Sequence, residues 1–443
     1  MFELYGAYTN AIVYADICEN EAISQIQGLC NHPAFEGATI RVMPDVHAGS
    51  GCTIGTTVKL AKRMVIPNIV GVDIGCGVLG TIFKADKELD LKALDDFIMA
   101  NIPNGHDIRE RKHPELNKNV ADAVKEICKD VNLGMPDAYL KSIGSLGGGN
   151  HFIEIDKIDE NTYVLFVHTG SRNLGKKVCE AFQRKATRHM EGGERLVEAQ
   201  KELIAKLKKE HREKDINKEL MNLKNNFKGK IIGIPADLAY IEGKNYDDYM
   251  KNMQKCQKMA AESRRLISLD IINFLGVEVV ETFDTIHNYI EEVIKNGEKQ
   301  YIIRKGAVSA KAGEKLSIPL NMKDGVIIAI GKGNLEWNES APHGAGRLLS
   351  RSQANATLSM DEFAEDMAGI NTWSVCPETL DEAPKAYKPA EQIIGLVGDT
   401  VEIECIAKPI YNFKAHARSK SWAEIKREEK ERKRAAREMS NMN

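Results

Sequence analysis

The segment Asn68–Gly80, NIVGVDIGCGVLG, sets a carboxylate and a thiol three residues apart, Asp73 and Cys76, within an apolar run of Ile69, Val70, Val72 and Ile74. Gly71, Gly75 and Gly77 surround them, so the backbone there is free to bend and to pass close to a ligand. A buried strand with a core cysteine accounts for the apolar residues alone. An acid and a soft sulfur together in a dry bend need a cation to offset their burial.

Working outward, Arg41–Leu60, RVMPDVHAGSGCTIGTTVKL, reads as short strands joined by tight loops, with Asp45 and His47 in the loop after Pro44. In Ile143–Ile155, IGSLGGGNHFIEI, four glycines lead into Asn150-His151 and then an alternating strand. Tyr163–Val167 is an apolar strand that ends in His168-Thr169-Gly170-Ser171-Arg172, and a strand over Val277–Phe283 precedes His287-Asn288. Each histidine alone is more simply a satisfied core residue. Several at strand ends are what a scaffold uses to present ligands. Asp73, Cys76, His151, His168 and His287 exceed one tetrahedral site and suit two ions sharing the Cys76 sulfur. Imidazole and thiolate favour zinc by affinity order, and the sequence does not choose the metal.

A further histidine lies in Gly331–Arg347, GKGNLEWNESAPHGAGR. Gly344, Ala345 and Gly346 leave room for a phosphate beside His343, and Arg347 can neutralise its oxygens. A histidine nucleophile acting on phosphorus needs those neighbours. A loop histidine at a helix N-terminus is the simpler account of the motif when it is taken alone.

The remaining sequence bounds the fold. With 443 residues, 43% hydrophobic and 28% charged, the chain can bury a large core. Its nine scattered cysteines suggest no disulfide framework. MFELYGAYTN has no signal-peptide pattern and no stretch is apolar enough to span a bilayer, so a cytoplasmic protein without membrane contact is expected. Helices are predicted over 89–102 and 247–274, the latter with Tyr249, Met253, Cys256 and Ala260 inward. Residues 176–229 repeat apolar positions at helical spacing among dense charge, which predicts a helical hairpin insertion. The net charge is −3, yet residues 416–443 hold nine Lys or Arg against five Glu, leaving the rest near −7. That end reads as a basic helical tail, either a non-specific RNA contact or a solvated helix. The expected architecture is α+β, with central sheets flanked by helices in one domain over 1–413 and the tail over 414–443.

The ordered set MPDVHAGSGCTIG, GVDIGCG, GGGNHF, VHTGSR, HN, RKGA and HGAGR resembles the RtcB family of RNA ligases, from about residue 40 to about 410. The resemblance implies a GTP-dependent enzyme that joins an RNA 3′-phosphate or 2′,3′-cyclic phosphate to a 5′-hydroxyl. It implies two manganese ions, one on Asp73, Cys76 and His151 and the other on Cys76, His168 and His287. His343 is implied as the residue that takes GMP from GTP. Asn150 and Arg347 are implied as phosphate ligands, Arg172 as lying near the RNA end, and Glu154, Tyr387 and Lys408 as lining the guanosine pocket. His151, Phe152, Ile153, His287, Asn288, Pro319, Met322, Gly344, Ala345 and Gly346 complete the implied GTP contacts. Asp45 matches an acid of the first motif and is grouped with the RNA and phosphate residues. In place of the family's glycine-rich turn this chain has Pro319-Leu320-Asn321-Met322-Lys323-Asp324-Gly325. Two other readings use the same residues: a metal-dependent phosphoesterase, for which His343 is dispensable, and a non-catalytic protein that binds RNA ends. An activating protein partner is left open.

Overall fold

Strands rich in β-branched and aromatic residues sort into two main sheets, flanked by helices. The computed structural model describes residues 1–227, 233–295 and 297–415. In spatial order the first sheet runs Phe2–Tyr5, Asn10–Val13, Thr39–His47, Ile54–Leu60, Glu298–Lys305 and Asn288–Lys295. Asn10–Val13 and Thr39–His47 pair in parallel, and the Asn20–Cys30 helix supplies the crossover that a parallel pair requires. The second sheet runs Glu278–Ile286, Gly77–Lys84, Thr162–Thr169, Phe152–Lys157, Val401–Lys414, Gly325–Gly331 and Lys315–Asn321, each antiparallel to its neighbours. The expected α+β class is what the chain adopts.

One helix ties the two sheets together. Gly243–Leu275 is 33 residues long, or about 50 Å. Tyr246, Tyr249, Met253, Cys256 and Met259 enter the core that the first sheet covers, and Ile267 and Ile271 enter that of the second. Between these groups sits Arg264, fully buried. Its Nε and Nη2 donate to the two Asp284 carboxylate oxygens at 2.6 and 2.7 Å. Its Nη1 donates to Gly75 O at 3.0 Å and to Thr169 O at 2.8 Å. The inward stripe read at 249, 253, 256 and 260 therefore continues, one turn on, to an arginine that stitches the Gly75 bend to the end of a neighbouring strand.

Within the 176–229 stretch, the Arg172–Met190 helix is part of the core, with Leu174, Val178, Cys179, Phe182 and Ala186 buried. Gly193–Lys209 and Ile216–Asn226 pack against each other as an outlying hairpin, most of whose side chains are exposed or partly so; residues 228 and 229 lie outside the described set. At the other end, the last strand carries Lys414 into the structure with its side chain buried. The tail reading therefore falls on residues 416–443, outside the described residues. No described helix is long and apolar enough to cross a membrane.

Candidate active site

In an antiparallel sheet the start of one strand lies beside the end of the next. Cys76 precedes the Gly77–Lys84 strand, His168 nearly ends Thr162–Thr169, His151 precedes Phe152–Lys157, and His287 follows Glu278–Ile286. The pairings Val78↔His168, Phe152↔His168 and Gly77↔Ile286 put all four at one end of the sheet. Cys76 Sγ is 3.5 Å from His151 Nε2 and 3.3 Å from His168 Nε2. Asp73 Oδ2 is 3.2 Å from His151 Nε2, and the rings of His168 and His287 are 5.3 Å apart between centroids. The 68–80 segment is not one continuous strand: Pro67–Val70 forms a helical turn, a bend carries Asp73, and the strand starts at Gly77. Gly75 makes this bend possible, with φ +71 and a position where a Cβ would come within 2.8 Å of the Gln257 backbone.

The donors suit a divalent cation. Burial, then the neighbouring imidazoles, hold His168 well below the ordinary histidine range; burial, then His343, do the same for His287. Both therefore offer neutral lone pairs. His168 Nδ1 faces Asn150 O at 3.2 Å, which fixes the proton there and turns Nε2 toward the sulfur. Burial, reinforced by the Asp73 carboxylate, pushes the Cys76 thiol well above its usual range. A cation bound among these atoms would stabilise the thiolate that burial disfavours. The ligand atoms of Cys76, His151 and His168 lie within 4.8 Å of one another. Sulfur, imidazole and one carboxylate fit a borderline-soft divalent metal.

His343 approaches this cluster from the first sheet's side. Asp45 and His47, expected in a loop, belong instead to the Thr39–His47 strand. Val42 pairs with Thr56 and His47 with Ile54, so the residues between them bulge out of the ladder. Gly55 lies opposite, where a Cβ would come within 2.8 Å of Asp45 Oδ1. The bulge aims the fully buried Asp45 at His343: Oδ2 accepts from His343 N at 3.0 Å and from Nδ1 at 2.6 Å. A carboxylate acceptor assigns the ring proton to Nδ1 and leaves the lone pair on Nε2. The His343 ring lies 4.7 Å from that of His287.

A cavity of about 650 Å³ opens beside His343. Of the residues singled out in the sequence, His47, Asn150, Phe152, Glu154, His168, Pro319, Met322, His343, Gly344, Ala345, Gly346, Arg347 and Tyr387 line it. Others sit elsewhere. Ile153 alternates away from Phe152 and Glu154 into the opposite core. Asn288 braces the metal-side loop, donating to Asp73 O at 3.0 Å and accepting from Gly306 N at 3.0 Å. Arg172 is held against the glycine loop, with Nη2 donating to Gly105 O at 2.9 Å. Lys408 is exposed and donates to Asp324 O at 3.3 Å. It does not reach the cavity; Lys414, six residues and about 20 Å further along the same strand, lies on the cavity wall with its Nζ over the Phe152 ring. In the altered 319–325 turn, Asn321 Oδ1 caps the N–H groups of Lys323 and Asp324, both at 2.9 Å. That side chain does the work of the missing glycines.

Several cavity residues carried no recognisable motif. Glu382 gathers four donors: Arg347 Nη1 at 3.1 Å, Arg351 Nη1 at 3.0 Å, the Tyr387 hydroxyl at 2.6 Å and Lys414 Nζ at 2.8 Å. Burial alone would raise its carboxyl, but Lys414 and Arg351 hold it down at about 2. Three cations against Glu382 and Asp381 leave this wall suited to an anion.

Glu154 and Asp156 project from the same face of one strand, both buried. Burial pushes Glu154 up to about 7, and burial followed by the Glu154 charge pushes Asp156 well up too, so the pair resists ionising both members near neutrality. The folded state thus keeps a proton that the unfolded chain loses above its ordinary value of 4.5. The stabilisation is full below that value and fades as pH rises through about 7. Glu154→Gln is expected to flatten this slope, and near pH 8 to melt later than the parent by an amount on the order of 2 kcal/mol. Thermal melts of the metal-free protein across pH check it, and parallel curves for the two proteins would refute it.

A family model described as tRNA-splicing ligase RtcB matches residues 25–415. The RNA-splicing ligase RtcB of Escherichia coli (strain K12) is 30% identical over 393 residues, covering 82% of this chain and 87% of the relative. The tRNA-splicing ligase RtcB of Nanoarchaeum equitans is 27% identical over 435 residues, covering 80% and 83%. That of Thermococcus kodakarensis is 27% identical over 479 residues, covering 89% and 92%.

Proposed function

Since the chain belongs to the RtcB family, we propose that it is an RNA ligase that consumes GTP to join a 3′-phosphate or 2′,3′-cyclic phosphate end to a 5′-hydroxyl end. The observation that carries the reading is the double hydrogen bond from His343 to Asp45, which leaves Nε2 as a nucleophile facing the cavity. In the first step a P–N bond forms between Nε2 and the α-phosphorus of GTP while the P–O bond to pyrophosphate breaks. In the second, an oxygen of the RNA 3′-phosphate displaces His343 and takes the GMP. In the third, the 5′-hydroxyl attacks the 3′-phosphorus and GMP leaves. A cyclic phosphate is opened by water beforehand.

The chain's own residues supply orientation and charge. Arg347, with Arg351, would neutralise phosphate oxygens near His343; Asn150 would hold another. Glu154, Tyr387 and Lys414 would face the guanosine. Asp73, Cys76 and His151 would hold one divalent ion and Cys76, His168 and His287 a second; manganese is the metal the family resemblance implies, whereas the donors alone favour a softer ion. Bound there, the ions supply charge neutralisation at the reacting phosphates. Arg172, on the Asp73 side, would meet the incoming RNA end. Ends of this kind arise in broken tRNA or rRNA and in spliced tRNA halves.

The test is incubation with radiolabelled GTP, manganese and two RNAs that carry a 3′-phosphate and a 5′-hydroxyl. A joined product and acid-labile label on the protein are expected. Phosphate release without joining would favour the phosphoesterase, and binding of RNA ends without GTP consumption the non-catalytic reading.

A further inference from the structure

The bulge that aims Asp45 has a consequence for its backbone. Residues 43–46 have left the ladder, so their carbonyls lose strand partners inside a buried region. The His47 ring, with Nδ1 2.9 Å from Asp45 O, meets one of them, and a single lysine meets two more. Lys388, itself buried, donates from Nζ to Pro44 O at 2.9 Å and to Val46 O at 2.7 Å, the two carbonyls that flank Asp45. Its third bond goes to Ile17 O at 3.0 Å. The same residue's backbone N–H donates to Gly346 O at 3.0 Å, in the loop that carries His343. Gly346 in turn packs on Asp45 so closely that a Cβ there would lie 2.1 Å from Asp45 O. Lys388 thus holds both ends of the Asp45–His343 bond, and its ammonium, bonded to the carbonyls on either side of Asp45, lies within electrostatic reach of the buried carboxylate.

We propose that Lys388 is a positioning residue for the nucleophile: it holds the bulge in register and balances the Asp45 charge, so that Asp45 keeps the His343 proton on Nδ1 and Nε2 faces the cavity. A lysine that only filled space would be replaceable by an apolar chain of equal length. One that acts through Asp45 is not, and its effect must vanish once Asp45 cannot act.

The inference rests on the proposed use of His343, and its test separates the two. Single-turnover label transfer from GTP is measured at saturating nucleotide for the parent, Lys388→Met, Lys388→Arg, Asp45→Asn and the Asp45→Asn/Lys388→Met pair, with thermal melts for each. Lys388→Met is expected to slow transfer at least about tenfold with little change in GTP affinity. Arginine, which keeps charge and donors, is expected to restore most of the rate. In the Asp45→Asn background the Met substitution should cost less than about twofold. Additive losses, or an unchanged rate in Lys388→Met, would overturn the proposal. If Lys388→Met does not fold, Lys388→Gln keeps two donors without the charge, and a parental rate in that variant overturns it equally. Independent of any GMP chemistry, ¹⁵N spectra of metal-free, histidine-labelled protein report the His343 tautomer. A parental Nδ1–H tautomer retained without Lys388 refutes the proposal even if the parent takes no label from GTP, an outcome that would itself refute the ligase reading.

Discussion

His343→Ala is expected to take no covalent label from GTP and to join 3′-phosphate and 5′-hydroxyl RNA roughly 10³-fold more slowly or worse. The size of the loss follows from the site's layout. The lone pair that Asp45 frees on Nε2 faces a cavity with room for a nucleotide, beside Arg347 and Lys414. Alanine leaves no atom there to carry GMP, and water in its place would give free GMP instead of activated RNA. Asp45→Asn should also slow label transfer, because the nucleophile remains but its tautomer is no longer fixed. The second arm uses an RNA whose 3′-phosphate already carries GMP. That substrate enters after the histidine step, so His343→Ala should join it within about tenfold of the parent. Retained label in the variant, or equal failure on pre-activated RNA, would show that the imidazole is not the carrier.

The gathering of Cys76, His151, His168 and His287 was legible because each lies at the end of an apolar run, the first three beside glycines, and strand ends in an antiparallel sheet meet their neighbours' beginnings. The α+β class was legible for the same reason, from alternating strands and an inward stripe on the long helix. What supports these residues was not. Asp45 looked like a loop acid because Pro44 and the following glycines hide a strand, and only the pairing of Val42 with Thr56 and His47 with Ile54 reveals the bulge. Lys408 and Lys414 share one strand, and the choice between them depends on which residue lies opposite Phe152, a matter of register that local pattern does not fix. Arg264 and Lys388 answer carbonyls orphaned by bends elsewhere in the chain, so no spacing near either residue announces them. Of these, only the buried face of the helix at 264 left a trace, as an arginine in line with an apolar stripe.

Cys76→Ser is expected to abolish stabilisation of the protein by manganese, the second large effect. The sulfur lies 3.5 and 3.3 Å from two imidazole nitrogens, so it is the atom that would join the two halves of the ligand set. A serine hydroxyl stays protonated, is a harder donor, and leaves Asp73 and His151 on one side with His168 and His287 on the other. In the parent, free metal at about 100 times its dissociation constant adds about 2.7 kcal/mol to stability, a rise in melting temperature that the variant should lack at the same concentration. The metal-free proteins must be compared first, since burying a hydroxyl in place of a thiol costs about 1–3 kcal/mol by itself. The metal-dependent rise, and not the absolute melting point, is therefore the quantity read. Cys256→Ser supplies the control: that cysteine is equally buried, on the long helix, and burial pushes its thiol up in the same way. It lies outside the cluster of Cys76, His151 and His168, so its variant should keep the rise. Equal responses to manganese in Cys76→Ser and the parent would remove the thiolate from the site, and with it the reason for two ions to share a ligand.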